Sequence, residues 1–78
     1  MAITAYLLVQ TEVGKTARVV ESIREVPGVV AADAVTGPYD AIVQTEAADI
    51  DELGKMVVSQ IQAVDGITRT HTCPVVHL

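Results

Sequence analysis

The sequence predicts an α+β fold in which four strands and two helices follow the order β-α-β-β-α-β. The first observation is an internal repeat: residues 8–12 (LVQTE) return as residues 42–46 (IVQTE), and residues 26–29 (VPGV) return as residues 64–67 (VDGI). The second is that each copy passes from an alternating apolar run to an amphipathic run and back. Two copies indicate a duplicated unit, because a solenoid needs at least three repeats.

The strands are predicted where apolar residues recur with a period of two. Residues 2–10 form the first strand, in which one side carries Ile3, Ala5, Leu7 and Val9 and the other carries Thr4, Tyr6, Leu8 and Gln10. The other three strands are predicted at residues 29–36, 41–46 and 67–74. Residues 37–40 (GPYD) contain the turn formers Gly, Pro and Asp, so this segment joins the second strand to the third.

The helices are predicted from apolar residues spaced three and four apart. The residues expected on the two buried faces are Thr16, Val19, Val20 and Ile23 in the first helix, and Ile50, Leu53, Val57, Ile61 and Val64 in the second. We expect Thr11 to cap the first helix and Ala48 or Asp49 to begin the second. The pairs Pro-Gly at 27–28 and Asp-Gly at 65–66 end them.

Interleaving two right-handed βαβ halves produces a four-stranded antiparallel sheet with both helices on one face, which is the ferredoxin-like arrangement. The helices should cover the side of the first strand that carries Leu7 and Val9. The opposite side, with Thr4, Tyr6 and Leu8, is too apolar to remain in water. The sequence therefore predicts a homodimer in which two such sheets face each other.

Length and charge exclude several classes of function. A chain of 78 residues forms one domain, residues 1–78, and buries only about 60% of its unfolded surface, which favours oligomerisation. The net charge of −5 and the lack of a basic stripe argue against direct binding to nucleic acid or to anionic membranes. A single cysteine is typical of a reducing compartment, so we expect a cytoplasmic location. We also expect no cofactor.

Two short motifs suggest sites and are better explained structurally. Gly14-Lys15-Thr16 resembles the end of a phosphate-binding loop, but the motif requires glycine at position 9, where this chain has valine. It is interpreted as a helix start with a solvated lysine. His71, Cys73 and His77 have the spacing of metal ligands on a strand, but a fourth ligand would have to come from another chain. We expect a strand with a small buried thiol and leave the role of these three residues open.

The turn at residues 37–40 is the strongest candidate site. Gly37 leaves its backbone open to a ligand, Tyr39 offers a flat wall with a polar tip, and Asp40 should be partly desolvated and require a cationic partner. The hydroxyls of Thr68, Thr70 and Thr72 share one side of the last strand and could accept a carboxylate. Together these groups suit a free α-amino acid, held within one subunit or at an interface between two.

These residues resemble the effector-binding domain of the Lrp/AsnC transcriptional regulators, the RAM domain, named for regulation of amino-acid metabolism. The resemblance covers essentially the whole chain. It is carried by the helix end at residues 26–29 (VPGV), the turn and strand at residues 37–43 (GPYDAIV), and the run at residues 66–72 (GITRTHT). One departure is Pro74, which interrupts the last strand where the family continues an apolar run.

The resemblance implies a sensor rather than an enzyme. Such domains pair through their sheets, assemble into rings of eight or ten chains, and bind amino acids at clefts between dimers. Transferred to this chain, the ligand-binding residues are Gly37, Tyr39 and Asp40 in the loop, with Thr70 and Thr72 in the last strand. Family members begin with a helix-turn-helix domain, whereas residue 1 here leads directly into the first strand. We therefore expect a stand-alone module that associates with itself and with a full-length regulator.

Two other functions remain open at this point. One is a small cofactor-free enzyme that uses the space between paired sheets, with Tyr6 and His71 as the residues to test. The other is an oligomerisation domain without a ligand. The sequence does not indicate which amino acid a sensor would bind.

Overall fold

A computed structural model describes residues 2–78 as one four-stranded antiparallel sheet with helices on one face. The strands are β1 (Ile3–Thr11), β2 (Val29–Ala34), β3 (Ala41–Ala47) and β4 (Ile67–Pro74). The helices are α1 (Thr16–Arg24) and α2 (Ile50–Met56), and α2 continues as a π-helical segment, Val57–Ile61. The strand order β2-β3-β1-β4 confirms the predicted ferredoxin-like fold. None of the helices within residues 2–78 has the length and apolarity needed to cross a membrane.

The ends of the elements differ from the prediction in a few places. β1 extends to Thr11, so the expectation that Thr11 caps the first helix is wrong. Lys15 precedes α1 instead, and the Thr11 hydroxyl lies 2.7 Å from the hydroxyl of Thr16. Asp49 begins α2 as predicted, because its carboxylate accepts the N–H of Glu52 at 2.8 Å. β2 ends two residues early, β3 continues one residue further, and β4 has the predicted limits.

The core lies between the helices and one side of the sheet. Its fully buried sheet residues include Leu7 and Val9 of β1 and Val43 of β3. Thr45 is also fully buried, and its hydroxyl is satisfied by donating to the Ala5 carbonyl at 3.0 Å. The buried helical residues are Val19, Val20, Ile23, Leu53, Met56, Val57 and Ile61. The predicted faces are therefore confirmed, except that Thr16 and Val64 are only half-buried and that two residues of α2 differ.

Those two residues are Ile50 and Met56. Ile50 was expected to be buried but is 57% exposed, because it lines an open groove with Thr72 at the edge of the sheet formed by β4. Met56 was not expected in the core. It is buried where α2 meets the loop before β2, and a Cβ added at Gly28 would lie 3.0 Å from its sulfur.

Gly28 and Gly66 occupy the corresponding places in the two repeats. Each has a positive φ, +96° and +102°, which follows the end of a helix and which other residues rarely adopt. A Cβ at Gly66 would lie 3.0 Å from Val19 Cγ2. Both positions therefore require glycine for backbone conformation and for space. The helical segments end at Arg24 and Ile61, a few residues before the Pro-Gly and Asp-Gly pairs that were predicted to end them.

The sheet leaves one face uncovered by helices. In the β1 ladders Leu8 pairs with Ile42 of β3 and with His71 of β4, and Tyr6 pairs with Cys73, so these five residues share that face. We call them the uncovered face. Tyr6 and Ile42 are 40% and 38% exposed, and Leu8 is half-buried. The side of β1 that carries Tyr6 and Leu8 therefore faces away from the helices, as predicted.

Candidate functional site

The loop of residues 37–40 is anchored to both of its neighbouring strands. The N–H of Val35 donates to the Asp40 carbonyl at 2.9 Å and closes the turn, and the N–H of Asp40 donates to the Val9 carbonyl at 2.9 Å. Gly37 has a φ of +150°, and a Cβ added there would meet nothing within 4 Å. Glycine is thus required at this position for conformation and not for space. Its backbone is exposed, as the sequence predicts for a position that a ligand approaches.

The carboxylate of Asp40 is half-buried and is engaged within the chain. Thr11 lies beyond the last pair of the β1–β3 ladder, which is Val9 with Ala41. The Asp40 Oδ2 atom accepts the Thr11 N–H at 2.8 Å. This hydrogen bond supplies a partner that the sequence-based expectation had assigned to a cation. The other oxygen, Oδ1, has no hydrogen-bond partner within residues 2–78, so one side of the carboxylate can still bind a donor.

Side chains from β1 and β4 hold the rest of the loop. The Gln10 amide donates to the Pro38 carbonyl at 3.2 Å. The Tyr39 ring makes an edge contact with the imidazole of His71, with 5.7 Å between ring centroids and 75° between planes. Because His71 is on β4, the loop that precedes β3 reaches across β1 to the opposite edge of the sheet. The loop therefore lies at one corner of the sheet, on the same face as Leu8 and Gln10.

The two threonines predicted for the site lie on the other face of β4. Thr70 pairs with Val9 and Thr72 pairs with Leu7, and both partners are fully buried on the helix side. The hydroxyl of Thr70 accepts from the Gln62 amide at 3.3 Å. Within one chain, the structure brings Gly37, Tyr39 and Asp40 together and leaves Thr70 and Thr72 apart from them.

Gln10 and His71 are the loop contacts that sequence reasoning did not include. A period-two reading of the strands places Gln10 in the same series as Tyr6 and Leu8, and that signal was available. The contacts themselves depend on the strand order, which places β4 next to β1. His71 was considered as a metal ligand and as a residue of a cofactor-free enzyme, but not as a contact of the loop.

Two grooves border the helix-facing side of β4. One, of about 300 Å³, is lined by Gln62, Ile67, Thr68, Arg69 and Thr70 and is mainly polar. The other, of about 290 Å³, is lined by Ile50, Leu53, Gly54, Val57, Val58 and Thr72 and is mainly apolar. The predicted threonines therefore line grooves, but the Gly37–Asp40 loop lines neither of them.

The residues Gly14, Lys15 and Thr16 form a helix start, as the sequence analysis favours. The Lys15 ammonium lies 2.9 Å from a carboxylate oxygen of Glu12 and 3.6 Å from one of Asp65. The hydrogen bond to Glu12, followed by the charge of Asp65, raises the pKa of Lys15 above its ordinary value of 10.5. This lysine is thus half-exposed and paired with two acids rather than directed at an anion site.

The cluster of His71, Cys73 and His77 does not form a metal site within one chain. In the part of the chain that the structure describes, no three His, Cys, Asp or Glu side chains are placed to hold an ion. Cys73 is exposed next to Tyr6, so the expectation of a buried thiol is wrong for a single chain. His77 lies elsewhere, beside Ala2 and Ile3 at the start of β1.

Comparison with known proteins gives one consistent family. The family model of the Lrp/AsnC ligand binding domain matches residues 4–77. An uncharacterized HTH-type transcriptional regulator of Pyrococcus horikoshii is 33% identical over 70 residues, which make up 90% of this chain and 44% of that regulator. The chain therefore spans less than half the length of this relative.

Solved structures show the same fold. TTHA0845 from Thermus thermophilus superposes with a TM-score of 0.91 at 32% identity, and the match covers 97% of this chain and 95% of that one. The transcriptional regulator NMB0573 of Neisseria meningitidis, solved as a complex with L-Met, has a TM-score of 0.84 at 23% identity. That match covers 96% of this chain and 50% of NMB0573.

Proposed function

The chain belongs to the Lrp/AsnC ligand-binding domain family, and on that premise we propose that it senses a free α-amino acid at the loop of residues 37–40. Asp40 binds the ammonium group through Oδ1, the oxygen that Thr11 leaves free. The exposed backbone of Gly37 and the ring of Tyr39 complete the near wall. The observation that carries this proposal is the anchored loop, since three separate contacts hold it in one conformation before any ligand arrives.

The related fold of NMB0573, solved with L-Met, supports an amino acid as the class of ligand. The structure of this chain supports the same class on chemical grounds. A zwitterion needs an acceptor for its ammonium group and donors for its carboxylate, and a half-buried carboxylate with one free oxygen suits the first of these needs.

We propose that the uncovered face pairs with that of a second copy. Tyr6, Leu8 and Ile42 form an apolar strip at the centre of this face, and a second sheet would remove it from water. Dimers would then assemble into rings of eight or ten chains. In such an assembly Thr70 and Thr72, which face away from their own loop, would serve the loop of a neighbouring copy.

Ligand binding would act by favouring one assembly state over another. A ligand shifts such an equilibrium only by its differential affinity for the two states. We propose that the domain works in the cytoplasm and associates with a full-length regulator of the same family, which would supply the contact with DNA.

A thermal-shift screen across the twenty common amino acids, with light scattering for mass, tests the proposal. A ligand present at a hundred times its Kd stabilises the folded state by about 2.7 kcal/mol. For a domain of this size that corresponds to a rise in Tm of roughly 10–20 °C. If no amino acid raises the Tm, the chain is an oligomerisation domain without this ligand. If a substrate is turned over, and Tyr6→Phe or His71→Ala abolishes the turnover, it is an enzyme.

A further inference from the structure

The face of the sheet that carries the candidate loop also carries an arginine. In the β1–β4 ladder Arg69 pairs with Gln10, so the two residues are neighbours on the same face. Gln10 in turn donates to the Pro38 carbonyl of the loop. Arg69 is also two residues from His71, which contacts Tyr39. Arg69 therefore stands next to both strand residues that hold the loop.

Asp40 and Arg69 approach the end of β1 from opposite sides. The Asp40 carboxylate comes from the β3 side and bonds to the N–H of Thr11. Arg69 comes from the β4 side and is paired with the preceding residue, Gln10. An acid and a base thus flank two consecutive residues of one strand. A ligand with one cationic and one anionic group could therefore contact both residues across the end of β1.

Two guanidinium groups, those of Arg18 and Arg69, have no carboxylate partner within residues 2–78, and of the two only Arg69 is beside the residues that hold the loop. Lys15 and Lys55 form ion pairs with acidic side chains. The Arg24 guanidinium donates twice to the Ala32 carbonyl, at 3.0 and 2.7 Å. An unpaired guanidinium on a chain of net charge −5 is available to an anionic ligand.

Arg69 is at the edge of the sheet and also lines the polar groove of about 300 Å³ with Gln62, Thr68 and Thr70, which the loop does not reach. A ligand at the loop would therefore be held by the guanidinium itself and not by the hydroxyl and amide groups of that groove. The planar fork of arginine matches the two oxygens of a carboxylate better than a single ammonium would.

We propose that Arg69 binds the α-carboxylate of the amino acid, while Asp40 binds its ammonium group. This inference rests on the proposed function and assigns the recognition of the anionic end to a residue on the loop's own face. The site then distinguishes a free amino acid from a ligand whose carboxylate is blocked. Thr70, on the other face of β4, does not contact this carboxylate within the same chain.

Calorimetry with each amino acid that the wild-type chain binds, beginning with L-methionine, and with the matching carboxamide tests this assignment. Arg69→Gln should weaken binding of the free acid about ten- to a hundredfold, because a charge-assisted pair is lost. Its affinity for the carboxamide should stay within about twofold of wild type. Arg18→Gln, which makes the same change of charge on α1, should alter neither affinity.

The possible results separate the two proposals. If the wild-type chain binds no amino acid, the proposed function fails and this inference fails with it. Suppose that the wild type binds an amino acid. If Arg69→Gln then weakens binding of the free acid and of the carboxamide equally, or changes neither affinity, the proposed function stands and the role of Arg69 is wrong. A loss of assembly mass in Arg69→Gln without a selective loss for the acid would also overturn it, since Arg69 would then pair with another copy. Arg69→Lys should restore part of the discrimination.

Discussion

Replacing Asp40 by alanine separates its structural role from its proposed role in binding. The change removes the acceptor of the Thr11 N–H, a bond of 2.8 Å to a half-buried carboxylate. Hydrogen bonds to charged groups contribute about 1.5–3 kcal/mol, and partial exposure to water reduces this, so we expect a loss of about 1–2 kcal/mol in the free energy of unfolding. That is a fall in Tm of roughly 5–15 °C. Asp40→Asn keeps an oxygen acceptor and should lose less than about 1 kcal/mol.

Thermal unfolding and calorimetry on both variants measure the two roles. Glu21 of α1 is the matched control, because it is exposed on the helix side of the molecule and its side chain makes no hydrogen bond or ion pair within residues 2–78. Glu21→Gln should match wild type in stability and in amino-acid affinity. Protein concentration must be held constant, since assembly raises the apparent stability. Asp40→Asn should be folded and bind the amino acid much more weakly. Wild-type affinity in that variant would refute the carboxylate's role, and wild-type stability in Asp40→Ala would refute the anchoring role.

Two further predictions concern stability. Gly28→Ala should destabilise the fold by about 1–3 kcal/mol in urea unfolding, because φ is +96° and the added methyl would lie 3.0 Å from a backbone oxygen. Gly54→Ala, a control in α2 with open space around it, should stabilise by about 0.5–1 kcal/mol, and equal effects at the two sites would contradict this explanation. Glu12 and then Asp65 raise the pKa of Lys15. The stabilisation that these two ion pairs give the fold is therefore complete at neutral pH and is lost as pH rises through the raised pKa. Between about pH 9 and pH 12 the unfolding midpoint should therefore fall less in Lys15→Met than in wild type. If the midpoints of the two proteins fall in parallel with pH, the pairs contribute nothing.

The fold was predictable because several independent signals agree at the level of whole elements. The repeat of residues 8–12 at 42–46 identifies two equivalent strands, and alternation in the first of them assigns Leu7 to the core and Tyr6 to the uncovered face. The second helix was less predictable. Val57 and Ile61 are buried as predicted although they belong to a π-helical segment, whereas Met56, the last residue of α2, enters the core by packing near Gly28.

The candidate site was predictable only in part. The turn formers of residues 37–40 identify the loop, and a carboxylate beside an apolar strand indicates partial burial of Asp40. The partner of that carboxylate could not be predicted, because it is a backbone N–H of Thr11 brought near by strand pairing. Alternation correctly placed Thr70 and Thr72 on one side of β4. The side depends on the register with β1, which pairs them with Val9 and Leu7 on the helix side.

Sedimentation of the chain at decreasing concentration measures most directly whether a second copy covers the uncovered face. The mass should remain at least that of a dimer while circular dichroism shows a folded chain. Ile42 is 38% exposed and lies at the centre of that face, so Ile42→Glu should dissociate the dimer. Val58 is 65% exposed on the opposite side of the molecule, so Val58→Glu should leave the dimer intact. A wild-type chain that stays folded as a single copy on dilution would contradict pairing through the sheet and the shared sites that depend on it.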